Sequence, residues 1–223
     1  MPDALPRRIL PDMPSRASFA ILAVLLLGMP FILYSGGFGL RGLTADLSGE
    51  TRFFTTPAAN VLIFGHMAAG ALVTLLAPVQ LLPVTRARNP RVHRTLGYVT
   101  LTAAAVTGIF GLLYIALRGT IGGPLMSAGF ALYGALLLIA AANTAYHALD
   151  KNRPRHRAWA LRLAVLALGS FLYRLHYWVW YAATGGAGSN EAFTGPFDVV
   201  NFIAFYLPYL IILEFVLRRP LFR

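Results

Sequence analysis

No cysteine occurs in the 223 residues, which excludes disulfides, thiolate metal sites and covalent c-type haem attachment. Charge is scarce as well. Asp, Glu, Lys and Arg make up 12% of the chain, far below the roughly 25% of a soluble domain. Acid is scarcer than base, with eight Asp and Glu against nineteen Lys and Arg. The resulting net charge of +11 does not describe a nucleic-acid surface, because the cations fall in short loops rather than along one helix face or in a tail. Redox chemistry survives the missing thiols, since histidine alone holds a non-covalent haem.

What the chain does contain is apolar: 57% of its residues. They gather into runs of about 20, each bounded by charge or by Gly and Pro, which is the pattern of an all-α, polytopic membrane protein. Six transmembrane helices are expected, near 18–36, 58–84, 92–117, 124–149, 156–181 and 197–217. Helices two to five form the expected four-helix core (58–182), flanked by helices one and six within a single domain, 18–217. Residues 1–17 form a cytoplasmic lead before a retained first helix, and 218–223 a cytoplasmic tail.

The loops set the expected orientation. Arg7, Arg8 and Arg16, then Arg86, Arg88, Arg91 and Arg94, then Lys151, Arg153, Arg155, Arg157 and Arg162, then Arg218, Arg219 and Arg223 fall on one side. Arg41, Arg52 and Arg118 fall on the other. The positive-inside rule places both termini in the cytoplasm, in a bacterial inner membrane, with the lipid bilayer as the first partner. Tyr173, Tyr177, Trp178, Trp180 and Tyr181 agree, clustering where helix five should meet the outer interface.

Ionisable groups inside such spans are expensive and mark functional candidates. At 1.5 Å rise per residue, His66 lies about 12 Å and His176 about 10 Å below the outer surface. The two are nearly level on different helices. His93, His147 and His156 gather at the opposite surface. An outer pair and an inner group suit one or two b-type haems, His66 with His176 and His93 with either His147 or His156. As iron ligands, His66, His176, His93 and His156 are the first choice. Gly70 and Gly97, one turn beyond His66 and His93, leave space for a flat macrocycle or serve close helix packing. Arg174, with Arg94 and Arg157, would balance propionate charge; Arg174 could instead snorkel outward or pair with Asp198. Glu214 and Arg218, four apart, read as a local ion pair.

At His93-Arg94-Thr95-Leu96-Gly97-Tyr98 and His156-Arg157-Ala158-Trp159, with His66 and Gly70 upstream, the chain resembles a bacterial family of predicted membrane proteins designated domain of unknown function 2306. The resemblance covers about 58–182 and implies no activity. In layout the chain is also similar to the ascorbate-dependent transmembrane cytochromes b, whose four-helix core carries two haems on four histidines. That similarity implies a haem b electron-transfer protein taking electrons from a quinol or another small donor.

Two other classes fit the same residues. One is a non-catalytic subunit or small-solute transporter, for which Pro78 and Pro208 offer helix breaks. The other is an intramembrane hydrolase with zinc on His93, His147, Asp150 and His156.

Overall fold

The computed structural model describes residues 16–83, 85 and 89–218. Its helices run α1 (Arg16–Thr44), α2 (Pro57–Leu81), α3 (Pro90–Arg118), α4 (Gly123–Leu149), α5 (Arg153–Ala167), α6 (Gly169–Thr184), α7 (Pro196–Ala204) and α8 (Leu207–Leu217). The expected cytoplasmic cations Arg7, Arg8, Arg86, Arg88, Arg219 and Arg223 lie outside the described residues.

Local sequence explains the boundaries. Thr56, Asn89 and Asn152 each accept a hydrogen bond from the backbone N–H three residues on, which satisfies donors that a first turn leaves unpaired. Pro57, Pro90 and Pro154 follow, where a missing N–H costs nothing. Gly185 ends α6 at φ 68°, a left-handed conformation that glycine adopts without a Cβ clash.

α1, α2, α3, α4 and the α7–α8 pair are each long and apolar enough to cross a membrane, and the bent pair of α5 and α6, counted as one span, brings the number among the described residues to six. The protein is a polytopic helical membrane protein. α2, α3, α4 and α5 close a ring in which each packs on the next and α5 returns to α2. α1 lies outside on α2, while α7 packs on α4 and α8 on α5. Small residues allow the approach: Ala77, Ala103, Ala104, Ala140, Ala141, Ala164 and Ala167 are buried in the shared core. The α1–α2 contact is closer still, since a Cβ at Gly39 would stand 2.6 Å from the Ala68 backbone nitrogen.

The uninterrupted fifth helix expected over 156–181 is not what forms. It breaks at Leu168, and α5 and α6 meet at 43°. In hydrocarbon a break needs substitute partners for the freed backbone groups, and two side chains supply them. The Tyr133 hydroxyl donates to the Leu166 carbonyl at 2.6 Å, and the Thr74 hydroxyl shares its one proton between the Ala167 carbonyl at 2.8 Å and the Gly70 carbonyl of its own helix at 2.7 Å. Gly169 completes the corner, because a Cβ there would meet the Tyr133 ring at 2.7 Å. Pro78, by contrast, lies within an unbroken α2. The last span breaks between Ala204 and Leu207, just before Pro208.

The C-terminal half of α8 is fixed by an unexpected pair. Glu214 accepts from Arg162 Nε at 2.6 Å and from Nη2 at 2.8 Å, a two-point pair between α8 and α5. Arg162 also lies 4.6 Å over the Trp159 ring. This replaces the local pair with Arg218 expected from spacing, because a planar guanidinium facing a carboxylate makes two parallel bonds.

Tyr133→Phe keeps the ring and deletes only the donor to Leu166. Losing that hydrogen bond at the bend should cost roughly 0.5–1.5 kcal/mol, read as a lower melting temperature of the detergent-solubilised protein. Unchanged melting would show that the bend does not depend on the hydroxyl.

Candidate functional site

Beside the bend lies a cavity of about 310 Å³. α2 contributes Ile63, His66, Met67 and Gly70; α3 contributes Thr107, Gly108, Gly111 and Tyr114; α4 contributes Phe130, Tyr133, Gly134 and Leu137. Ser170, Tyr173 and Arg174 of α6 form a further wall, with Phe31 and Ser35 of α1. Arg52, Phe53 and Phe193, from the connections before α2 and α7, also border it. The site therefore sits in the half of the bundle remote from the basic 81–90 and 149–153 connections. Missing side chains help make the space. Gly111 admits the His66 ring, since a Cβ there would stand 2.8 Å from Nδ1.

His66 has a defined tautomer. Its Nδ1 lies 2.8 Å from the Thr107 carbonyl oxygen, which can only accept, so Nδ1 carries the proton and Nε2 the lone pair. The ring thus offers the cavity an acceptor.

Among the described residues the wall contains no carboxylate, while two arginines and a histidine border it. Arg174 donates to the Ser170 carbonyl at 3.0 Å and stands 4.9 Å over the Phe31 ring. Arg52 stands 5.5 Å over Phe53. Among the described residues the ion pairs are Arg41–Glu50 and Arg162–Glu214, so neither cavity arginine has an anionic partner. The pairing of Arg174 with Asp198, one of the expectations, does not form. Asp198 is fully buried and accepts instead from Tyr177 and Ser189 hydroxyls, each at 2.7 Å, and from the Asn190 and Gly195 backbone nitrogens. It organises the connection between α6 and α7. Phe193 of that connection borders the cavity at φ 55°, a backbone conformation uncommon outside glycine.

The expected outer haem pair is divided between different surroundings. His176 Nδ1 lies 2.7 Å from Asn201 Oδ1 and Nε2 lies 2.8 Å from the Tyr209 hydroxyl. One nitrogen donates and the other accepts, so the imidazole has no lone pair left for iron in this arrangement. His66 alone of the pair borders the cavity. His66 and His176 thus have different hydrogen-bonding surroundings rather than a shared one. The reason is that depth along a helix says nothing of the direction a side chain takes around it.

The inner histidines occupy the other end. His147 is buried at the close of α4, with no hydrogen-bond partner at Nδ1. His156 Nδ1 lies 3.0 Å from the Thr144 carbonyl, which ties α5 to α4. The His93 carbonyl accepts from Gln80 Nε2 at 3.2 Å. Gly97 faces that same amide, since a Cβ there would stand 4.0 Å from Gln80 Nε2, whereas Gly70 borders the cavity. Arg94 and Arg157 are exposed at the basic end. Among the described residues no three His, Asp or Glu side chains converge to hold a metal ion, so the zinc set of His93, His147, Asp150 and His156 is not assembled.

The fold and this site define a multi-span helical protein with a ligand-sized chamber. A family model described as predicted membrane protein (DUF2306) matches residues 63–217, and the chain belongs to that family. No curated protein and no solved structure matches it.

Several wall residues were missed by the sequence reading: Arg52, Thr107, Tyr133, Ser170 and Tyr173. Gly108, Gly111 and Gly134 were the available signal, small residues that leave room where α3 and α4 face each other. Asp198→Asn should loosen the 185–195 connection, because an amide cannot accept at both oxygens. Faster proteolytic cleavage within 185–195 is the expected readout; cleavage at the native rate would contradict the anchoring role.

Proposed function

We propose that this protein binds a small, largely apolar organic molecule inside the bilayer and carries it, as a receptor or transporter rather than as a two-haem electron carrier. The observation that carries this reading is the cavity of about 310 Å³ beside a broken span. That volume lies at the lower end for small-molecule sites, which are mostly apolar with a few placed polar groups. Discontinuous helices next to a central site recur in membrane transporters, where the ends at the break help form the substrate site. The loop charges support an orientation with both termini in the cytoplasm of a bacterial cell, which puts the cavity in the outer half of the inner membrane.

The electron-carrier reading keeps one supporting observation. A histidine whose Nδ1–H is held by a backbone carbonyl is oriented as metal-bound histidines commonly are. A pyridine haemochrome assay on purified protein separates the two readings: a haem band lost in His66→Ala would favour electron transfer, and its absence favours the carrier.

Gly70 gives the direct test of the cavity. A Cβ there meets only the Thr107 methyl, at 3.7 Å, so Gly70→Ala is accommodated while Gly70→Phe pushes a ring into the chamber. Native mass spectrometry of protein released from membranes should show a co-purifying small molecule in the parent and in Gly70→Ala, and none in Gly70→Phe. Equal occupancy in all three would refute the reading.

A further inference from the structure

We infer that the molecule held in the cavity is a small amphiphilic carboxylate, its acid group bound by Arg174 and its apolar body lying between α3 and α4; this rests on the binding role proposed above. Three features select that class. The first is charge. Among the described residues, Arg52 and Arg174 border a chamber with no carboxylate in its wall, and both lack an anionic partner. A cation within a membrane-spanning segment is costly to leave without a counter-charge, so an anion arriving there is favoured.

The second feature is donor geometry. A guanidinium has five N–H donors, and a carboxylate accepts two of them side by side. In Arg174 the Ser170 carbonyl engages Nη1, and the Phe31 ring lies along the face of the group, which leaves edges of the fork open to an acid. Arg174 is exposed as well as cavity-lining, so it marks the rim where a charged head would stop while the tail goes deeper. Phe130, Leu137, Gly134, Leu112 and Ile115 also line the cavity and offer no charge.

The third is size. A cavity of about 310 Å³ lies at the lower end of small-molecule sites, in proportion with a medium-chain or single-ring acid.

The experiment uses the full chain in nanodiscs of uncharged lipid, with octanoate, octanol and octylammonium as probes and calorimetry as readout. Octanoate should bind most tightly of the three. Arg174→Gln should weaken octanoate roughly tenfold or more, as loss of a charge-assisted pair does, while leaving octanol unchanged. Arg174→Lys should restore part of the affinity. Octanol binding as tightly as octanoate, with Arg174→Gln indifferent to both, overturns the acid specificity but leaves the cavity reading standing. Preference for octylammonium overturns it too. No binding of any probe, together with no effect of Gly70→Phe on co-purifying molecules, removes the binding role itself.

Discussion

A backbone carbonyl in hydrocarbon must find a donor, and no water is at hand to provide one. That requirement governs the bend at Leu168. The carbonyls of Leu166 and Ala167 are approached by hydroxyls from α4 and α2, Tyr133 and Thr74, the latter shared with Gly70, so the corner draws on two other helices of the ring. Tyr133 also borders the cavity, as do Ser170 and Arg174 from the first turns after the corner. One tyrosine thus links the irregular backbone to the chamber wall, and the direction taken by α6 sets where Arg174 stands.

The electrostatic layout follows from what each charge meets. Arg162 is matched twice over by Glu214, and Asp198 is wrapped by hydroxyl and backbone donors that tie down the connection ahead of α7. These groups are structural. The cavity arginines differ because they meet aromatic faces and a carbonyl, none of which carries a full negative charge. A site that is apolar in shape and positive in potential results, with His66 held as an acceptor beside it.

The spans were legible in the sequence because length and apolarity alone decide whether a helix can cross a bilayer. The bend was not, since Leu166-Ala167-Leu168-Gly169 reads as a continuous apolar run and its partners lie 33 and 93 positions away. Glu214 shows the same limit. Spacing along one helix pointed to Arg218, whereas the ring brings Arg162 from 52 positions upstream. His66 and Arg174 were legible as candidates because ionisable groups are rare at such depth, and both do reach the chamber. His176 was an equally good candidate on depth, but rotation about the helix turns it to Asn201 and Tyr209, which no single-helix argument resolves.

The absence of native cysteine makes the central claim, an accessible and positively charged chamber at the α5–α6 corner, open to a clean chemical measurement. Single cysteines are placed at Ser170, which borders the cavity, and at Thr144, which is buried away from it, and each is treated with an anionic methanethiosulfonate reagent in intact membranes. The account predicts rapid modification at 170 and little at 144. Equal, slow modification at both positions would mean that no such chamber is open to an anion.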